Sequence, residues 1–296
     1  MKNTKYIVHT MQQGTQEWLD FRRDKIGASM APVIAGVSPY QTKMQLWEEM
    51  VLGKTKPDNA PMRRGRNLEK KALDWMNKKK GLSGQYEPVV VQSVEEPHFI
   101  ASLDGFYVNE NGKPHLLEIK CPGIDAHLQA IEGKIPPYYY PQLQHQMDVV
   151  GVDEMLYLSF DGKNGVIVPC YRDEGYCESL KNMERKFLAL VLEKIAPSVT
   201  EDDWVENHDV ESVVRSFRYK EICETIDFLQ SEKEEIRDYL ISKLTHPKTI
   251  IGDLKARKIT KKGLVDYEKL IKDHGIEDAE QYRKPDTSCW VITSCA

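Results

Sequence analysis

The sequence contains no uninterrupted hydrophobic run that approaches the ~20 residues needed by a membrane-spanning helix. The longest apolar stretches, such as residues 187–192, are far shorter. The amino-terminal segment MKNTKYIVHT also lacks the hydrophobic run of a secretory signal. We therefore expect a cytoplasmic protein that does not insert into a membrane.

Closely spaced cysteines are missing as well. The chain has six cysteines, and none of them form a C-x-x-C pair. The usual spacings of a zinc site or a thioredoxin motif are therefore absent from the sequence. In a reducing compartment the simplest expectation is that the thiols are free. They are Cys121, Cys170, Cys177, Cys223, Cys289 and Cys295.

The chain also lacks an excess of positive charge, because 41 Lys and Arg against 46 Asp and Glu give a net charge of −5. This balance argues against a protein that coats nucleic acid through overall basicity. Two segments depart from the average. Residues 54–80 contain ten basic and three acidic side chains, and residues 255–262 contain five basic ones. Each segment is either a solvated face or a surface that contacts a partner. The residues that lie beside each segment distinguish these two interpretations.

A chain of 296 residues with 41% hydrophobic content is long enough for one large α/β domain with a smaller appendage. Hydrophobic spacing predicts helices over 17–25, 42–52, 65–80, 141–150 and 178–195. Strands are predicted over 86–94, 99–103, 106–108, 115–121, 155–160 and 165–169, with a hairpin turn at Asn111-Gly112. We expect a central mixed sheet of four or five strands flanked by helices.

The composition changes near residue 200, which separates a core, residues 1–200, from an extension, residues 201–296. Within the extension, residues 210–244 are predicted to form one long helix or a hairpin of two helices. Strands with a turn at Gly252 follow over 249–260, and a short helix follows over 267–274.

Charged residues occupy strand positions at which charge is costly. Asp104 ends an apolar strand, and Glu118, Ile119 and Lys120 lie in the next one. Because strand side chains alternate, Glu118 and Lys120 share one face while Ile119 anchors the other. Glu and Lys are rarely buried without partners. The pattern therefore indicates a functional use of these charges, or else an edge strand with a surface Glu–Lys pair.

A divalent cation is the simplest occupant of such a site, since it offsets the repulsion between two carboxylates. Oxygen ligands favour Mg²⁺, with Mn²⁺ as the alternative. Asp104, Glu118 and the Ile119 carbonyl are the candidate ligands. Lys120 is a candidate for positioning or deprotonating the attacking water and for stabilising phosphate charge. This arrangement predicts metal-assisted hydrolysis of a phosphodiester.

Five segments around these residues resemble the PD-(D/E)XK nucleases, and within them the lambda-exonuclease-like or YqaJ-type phage recombinases. They are WLDFRRDKIGAS at 18–29, RGRNLEKKA at 64–72, SLDG at 102–105, LEIKCP at 117–122 and YYPQLQHQM at 139–147. The resemblance covers about residues 10–200. It implies an α/β fold with a restriction-endonuclease-like core, in which helices flank a central mixed β-sheet, plus a mainly helical C-terminal extension with a β-hairpin.

The resemblance assigns roles by position. The residues that match catalytic positions are Glu69, Asp104, Glu118, Lys120 and Gln142. Among them, Asp104 and Glu118 match metal ligands together with the Ile119 carbonyl, and Glu69 completes the metal site directly or through a water. Gln146 lies on the same helical face as Gln142 and is the alternative for its role.

Other matches concern the DNA. Arg22, Ser29 and Ser102 match a pocket for a 5′-phosphate, in which Arg23 competes with Arg22. Ser29 alternatively caps a short helix. Weaker matches are Met62, at the position of a strand-separating wedge, and Tyr139, at that of a supporting aromatic residue. His145 is interpreted as a structural residue rather than a ligand.

The resemblance implies an exonuclease that loads on the ends of linear double-stranded DNA and digests the 5′-terminated strand. The 3′ overhang would pass to a single-strand annealing protein, in a bacterial host or a phage-infected cell. A toroidal homotrimer is also implied.

One alternative function is that of a Cas4- or AddB-like nuclease of different polarity with an iron–sulfur cluster. We do not expect it, because such clusters need four organised cysteines. Another is a non-catalytic DNA-binding assembly subunit. The role of the extension stays open between DNA binding, assembly and partner docking.

Overall fold

The computed structural model describes residues 5–11, 14–54, 59–79 and 85–260, together with Gly263 and Leu270. The chain divides into two compact units, Met1–Trp204 and Val205–Ala296. The first unit contains a seven-stranded sheet with helices packed against it, and the second contains one long helix and a two-stranded sheet. This architecture confirms the predicted mixed sheet flanked by helices and the predicted helical extension with a β-hairpin.

The elements of the first unit agree with most of the predicted ranges. The strands are β1 (Tyr6–His9), β2 (Ile26–Gly27), β3 (Glu87–Ser93), β4 (Phe99–Val108), β5 (Pro114–Lys120), β6 (Glu154–Phe160) and β7 (Gly165–Tyr171). The helices are α1 (Gln16–Arg22), α2 (Ala31–Ile34), α3 (Lys43–Leu52), α4 (Ala60–Lys79), α5 (Ile124–Ile131), α6 (Tyr140–Val150) and α7 (Glu174–Glu193). A 3₁₀ turn, Ala28–Met30, lies between β2 and α2. Sequence reasoning missed β1, β2 and α5.

The strands are arranged in the order β1-β3-β4-β5-β6-β7, and β2 pairs with β4. The β5–β6 and β2–β4 pairs are parallel, and the other pairs are antiparallel. The expected strand count of four or five was therefore too low. The two extra strands are β1, at the sheet edge, and β2, which has only two residues. Such short segments show too little alternation to be recognised from sequence.

The β4–β5 hairpin creates a gap in the sheet. Its turn confirms the predicted Asn111-Gly112 signal, and Gly112 adopts a φ of +74° that favours glycine. Pairing between the two strands ends at Gly105 and Leu117. Beyond these residues β5 continues beside β6 as far as Lys120, whereas β4 pairs with β3 and β2. The two strands therefore separate, and their polar residues lie at the point of separation.

Both faces of the sheet are buried. One face packs against α6, which in turn packs against α7, and this face contains Leu116 among its buried residues. The other face packs against α4 and contains Leu117 and Ile119. This distribution confirms the predicted alternation along β5. It also shows that β5 is an interior strand, which removes the edge-strand interpretation of Glu118 and Lys120.

The α4 helix approaches the sheet closely at Gly165, the first residue of β7. A Cβ atom on Gly165 would lie 2.6 Å from Cζ3 of Trp75 and 2.7 Å from Cδ1 of Leu158. These distances are shorter than a van der Waals contact, so the indole ring of α4 packs directly over backbone at this position.

Basic side chains also hold α4 against the ends of the strands. The Arg64 guanidinium donates to the carbonyls of Cys121 at 2.7 Å, Pro122 at 2.9 Å and Asp161 at 3.1 Å. Lys71 Nζ donates to the Gly162 carbonyl at 2.5 Å. Part of the basic segment 54–80 is therefore engaged with backbone of the first unit rather than presented to a partner.

The helix predicted to begin at Thr42 is α3, and Thr42 is its N-cap, forming a capping box with Gln45. Ser29 does not cap a helix, because it lies inside the 3₁₀ turn and α2 begins after Met30 without a side-chain cap. The capping alternative for Ser29 is therefore wrong.

The second unit contains α8 (Val210–Ser242), which is one continuous helix and not a hairpin of two. It is followed by β8 (Lys248–Ile251) and β9 (Leu254–Arg257), which pair antiparallel around the predicted turn at Gly252. The predicted helix over 267–274 lies outside the described residues apart from Leu270.

The described cysteines Cys121, Cys170, Cys177 and Cys223 are free thiols, and Cys289 and Cys295 lie outside the described residues. In the described part of the chain, no helix has both the length and the apolar character that crossing a membrane requires.

Candidate active site

A cleft of about 320 Å³ opens where β4 and β5 separate. Predicted site residues from α1, the 3₁₀ turn, α4, β4, β5 and α6 line it: Arg22, Ser29, Glu69, Ser102, Asp104, Glu118, Ile119, Lys120 and Gln142. Three others are not part of the lining. Met62 is 48% exposed in the first turn of α4, while Tyr139 and Gln146 contact cleft residues.

Asp104 and Glu118 occupy facing positions at the gap. Asp104 precedes Gly105 and Glu118 follows Leu117, and these two intervening residues are the last pair of the β4–β5 ladder. Oδ2 of Asp104 accepts a hydrogen bond from the Ile119 amide at 2.8 Å, so the side chain satisfies a backbone donor where the ladder ends. Burial and the neighbouring Glu118 raise the pKa of Asp104 well above its usual value.

The Glu118 side chain is 2% exposed and is surrounded by donors. Oε1 accepts hydrogen bonds from Lys120 Nζ and Gln142 Nε2, each at 2.6 Å. Oε2 accepts one from Gln146 Nε2, also at 2.6 Å. The sequence left Gln142 and Gln146 as alternatives, and the structure places both on this carboxylate. Such charge-assisted bonds make the burial of an ionised carboxylate tolerable.

Lys120 places a positive charge directly beside Glu118. Its ammonium is bonded to Glu118 and lies 5.5 Å from the centroid of the Tyr139 ring. Burial lowers the pKa of Lys120, but Glu118 and Asp104 raise it by more, so the net shift is upward. Lys120 is therefore a protonated lysine in this arrangement of the site.

Glu69 faces the cleft from α4 and is half-buried. Burial and the charge of Glu118 raise its pKa, against the opposing effect of Lys120. Glu69 therefore belongs to the same electrostatic cluster as the two strand carboxylates, and it is not a solvated helix charge.

Arg22 lies at the part of the cleft that is formed by α1 and β4. Its guanidinium carbon is 4.4 Å from the centroid of Trp18, whose indole Nε1 donates to Ser102 Oγ at 3.3 Å. Burial lowers the pKa of Arg22, against a smaller effect of Glu49, but a guanidinium stays charged at neutral pH. Arg23, by contrast, is 73% exposed and pairs with Asp20 at 2.6 Å. The structure thus brings Arg22 and not Arg23 to the cleft.

His145 is a buried structural residue, as interpreted from the sequence. Nδ1 lies 2.7 Å from Oε1 of Glu184 and Nε2 lies 3.0 Å from the Ile100 carbonyl. Burial lowers the pKa of His145, but Glu184 and the Ile100 carbonyl raise it by more, so the net shift is upward. Two acceptors on the ring fit an imidazolium, which links α6 to α7 and β4.

Among the lining residues that sequence reasoning did not assign to the site, Trp18 and Arg66 have the largest side chains. Trp18 lies within the matched segment 18–29, and its spacing of four residues from Arg22 places both on one face of α1. That spacing was the available signal. Arg66 lines the cleft from α4, three residues before Glu69, and the basic character of its segment was the only hint.

The site offers oxygen ligands for a hard cation. Asp104 and Glu118 supply carboxylates and Ile119 supplies a backbone carbonyl at the same point of the sheet. No three His, Cys, Asp or Glu side chains in the described part of the chain are grouped closely enough to hold a metal by themselves. Mg²⁺ needs no such cage, since one or two carboxylates with water and a substrate phosphate commonly suffice.

Comparison with known proteins supports the resemblance seen in the sequence. Residues 17–153 match the family described as the YqaJ-like viral recombinase domain. YqaJ of Bacillus subtilis (strain 168), an uncharacterised protein, is 23% identical over 250 residues, which are 82% of this chain and 76% of that protein. Among solved structures, LHK-Exo in complex with dAMP is 25% identical with a TM-score of 0.52, over 61% of this chain and 94% of that one.

A second structure, of the alkaline exonuclease LHK-Exo from Laribacter hongkongensis, is 26% identical with a TM-score of 0.49 and the same coverage of both chains. The predicted resemblance to YqaJ-type and lambda-exonuclease-like proteins is confirmed by the family match and by the LHK-Exo structure with dAMP.

The raised pKa of Asp104 predicts a specific pH dependence of stability. Because the pKa of Asp104 is higher in the folded state than in the unfolded state, protonation of Asp104 stabilises the fold. This contribution to stability is complete below the unfolded pKa of about 3.9 and is lost as pH rises through the folded pKa. Asp104→Asn mimics the protonated acid and keeps an acceptor for Ile119. We expect the substitution to raise Tm at pH 8 in EDTA, and the gain to shrink toward pH 4. Each kcal/mol corresponds to about 2–4 °C.

The matched control is Asp161→Asn. The amides of Asn164 and Lys163 lower the pKa of Asp161, so this substitution is expected to lower Tm at pH 8. Thermal unfolding followed by circular dichroism measures both variants. A Tm of Asp104→Asn equal to or below that of the unmodified chain at pH 8 would contradict the electrostatic description of the site.

Proposed function

From the match of residues 17–153 to the YqaJ-like viral recombinase domain, we propose that this chain is a metal-dependent exonuclease. It digests the 5′-terminated strand of linear double-stranded DNA and leaves a 3′ single-stranded overhang. The observation that carries the proposal is the single cleft shared by Asp104, Glu118 and Lys120. LHK-Exo supports it, since that similar protein is an alkaline exonuclease crystallised with dAMP, a deoxynucleoside monophosphate of the kind that DNA digestion releases.

The proposed cofactor is Mg²⁺, with Mn²⁺ as the alternative. Asp104, Glu118 and the Ile119 carbonyl would hold the ion, with Glu69 joining directly or through a water. The donor set fits, because all of its atoms are oxygens and because Asp104 and Glu118 bring two carboxylates to one buried position, where a cation would offset their mutual repulsion. When bound, the ion supplies Lewis-acid polarisation of the phosphate and acidifies the attacking water.

The protonation of Lys120 defines its proposed role. Glu118 and Asp104 outweigh the effect of burial and keep the ammonium charged. Lys120 therefore orients the attacking water and stabilises negative charge on the phosphate. The alternative role, in which Lys120 deprotonates the water, requires the neutral amine, because an ammonium has no lone pair to accept a proton.

The second proposed function of the cleft is to hold the 5′-phosphate. Arg22, Ser29 and Ser102 lie in the same cleft as the carboxylates, and Arg22 has no carboxylate partner among the described residues. A half-buried guanidinium that rests on an indole ring retains donors for phosphate oxygens. A 5′-phosphate bound there would place a nearby phosphodiester bond of the same strand at Asp104 and Glu118, which supports digestion from the 5′ end.

The wider assembly is proposed on the family resemblance. A homotrimeric ring would enclose the duplex, and a single-strand annealing protein would receive the overhang. The digestion of DNA would take place in the cytoplasm of a bacterial host or a phage-infected cell.

Met62 lies exposed near the amino end of α4 and is the proposed strand-separating wedge. The negative net charge of the chain does not oppose DNA binding, because affinity follows local phosphate contacts.

The central test is a time course on linear duplex labelled separately at its 5′ and 3′ ends, with Mg²⁺ and with EDTA. We expect early release of the 5′ label as mononucleotide, retention of the 3′ label, and no reaction in EDTA. Glu118→Gln and Lys120→Ala should lower the rate at least ~10²-fold, because each removes charge from the reacting centre. End binding should persist. The exposed Glu132→Gln is the control and should react at the normal rate.

Each rival has its own outcome in this experiment. Early release of the 3′ label would reverse the proposed polarity. Intact duplex in Mg²⁺ and in Mn²⁺ would favour a non-catalytic DNA-binding subunit. A brown protein that contains iron would favour a Cas4- or AddB-like nuclease.

Substitution of the two neighbouring arginines tests the 5′-phosphate pocket. Arg22→Ala should lower the preference for 5′-phosphorylated over 5′-hydroxyl ends by roughly ten- to a hundredfold, since a charge-assisted hydrogen bond contributes about 1.5–3 kcal/mol. Arg23→Ala should leave that ratio unchanged, because its side chain points to Asp20. Rates on duplexes that differ only at the 5′ end measure the ratio. An equal loss in both variants would remove Arg22 from the pocket.

The assembly is tested by native mass spectrometry of the purified chain. We expect a main species of about three times the 34.1 kDa mass of one chain, in line with the proposed ring. A species of one chain mass over the micromolar range would contradict the trimer while leaving the chemistry of the cleft intact.

A further inference from the structure

Gln146 lies outside the cleft lining, yet among the described residues it is the one hydrogen-bond donor that contacts Oε2 of Glu118. Its Nε2 donates to that oxygen at 2.6 Å, and its side chain is fully buried. We propose that Gln146 is a positioning residue that sets the affinity of the site for its divalent cation by fixing Oε2 of Glu118. This inference rests on the proposed function only in taking Glu118 as a metal ligand.

The count of lone pairs on Glu118 supports this assignment. An ionised carboxylate has about four lone-pair positions. Lys120 and Gln142 use two of them on Oε1, and Gln146 uses one on Oε2. The remaining position is on Oε2, so this oxygen is the one with acceptor capacity left for a cation. Gln146 donates to the same oxygen and thereby fixes the direction of that lone pair.

The two glutamines restrain different motions of Glu118. Gln142 and Lys120 hold Oε1, and a carboxylate held at one oxygen can still rotate about that contact. The bond from Gln146 to Oε2 removes this rotation. Partners behind a metal ligand generally act in this way, by orienting the ligand before the ion arrives.

The amide of Gln146 is itself only half satisfied. Its Oε1 is buried and has no hydrogen-bond partner within the described residues. A side chain retained only for packing would leave no such acceptor unpaired, because an apolar side chain of similar size would fill the space without cost. The donor half of the amide is therefore the part with a function, and that half contacts Glu118.

The same helix provides a matched control in Gln144, which is also fully buried. Its Nε2 donates to the Tyr171 carbonyl at 2.8 Å, and its Oε1 accepts from the Asp173 amide at 2.8 Å. Gln144 thus connects α6 to the start of α7 and does not contact Glu118. A substitution of Gln144 therefore measures the effect of losing one buried amide from α6 without disturbing a contact to Glu118.

The experiment compares Gln146→Met with Gln144→Met, since methionine preserves most of the volume of glutamine. The dissociation constant of Mn²⁺ is measured on the full-length chain from the electron paramagnetic resonance signal of the free ion. We expect Gln146→Met to raise this constant roughly ten- to a hundredfold, the usual effect of losing a partner behind a metal ligand. Gln146→Asn, whose amide is withdrawn by one methylene, should shift it in the same direction. Gln144→Met should lower the urea midpoint and leave the constant within about twofold, as expected for a contact that only supports packing.

The Mn²⁺ concentration that gives half-maximal DNA hydrolysis should rise by the same factor in Gln146→Met, and DNA-end binding in EDTA should not change. An unaltered Mn²⁺ constant in both Gln146 variants would overturn the inference, and so would an equal rise in Gln144→Met. A shifted constant in a protein that leaves DNA intact would support the inference while overturning the nuclease proposal. The two failures are therefore distinguishable.

Discussion

The burial of one carboxylate, that of Glu118, is the constraint on which the rest of the site depends. An ionised carboxylate removed from water costs several kcal/mol unless charges and hydrogen bonds replace the lost hydration. Here the replacement comes from Lys120 on the same strand and from Gln142 and Gln146 on α6. For the two amides to reach the strand, α6 must lie directly against β5. The buried charge of Glu118 therefore requires α6 to pack closely against the sheet.

The α6 helix meets that requirement with an unusual composition. A helix buried on every side is normally hydrophobic throughout, yet α6 buries three glutamines and one histidine. These four side chains are anchored in three places: Gln142 and Gln146 on Glu118, Gln144 on backbone groups near the start of α7, and His145 on Glu184 and the Ile100 carbonyl. Because these hydrogen bonds point in several directions, they fix the rotation of α6 about its axis and its distance from the sheet. The glutamines that hold Glu118 are therefore preorganised by contacts distant from the cleft.

The positions of the strand carboxylates could be predicted from the sequence. Contacts between elements that are distant in the chain could not be predicted. Alternation along β5 correctly assigned Glu118 and Ile119 to opposite faces, since a period of two needs only local information. The choice between Arg22 and Arg23 required the position of α1 relative to β4, although the spacing of Trp18 and Arg22 contained part of the answer. The carbonyl contacts of Arg64 and Lys71 could not be read from a charge count, because the direction of carbonyls at strand ends is a property of the assembled sheet. The segment 54–80 therefore looked more available to DNA than its described part is.

The close approach at Gly165 has a consequence for which substitutions the fold accepts. Trp75 and Glu69 belong to the same rigid helix, and the indole of Trp75 rests where any heavier residue at position 165 would place its first carbon. A methyl group added at position 165 would overlap the indole of Trp75 and Cδ1 of Leu158, so these side chains would have to move. Since Glu69 lies on α4 six residues before Trp75, any displacement of the helix that relieved this overlap would also move the Glu69 carboxylate relative to the strands. The size of the residue at position 165 is therefore coupled to the geometry of the cleft.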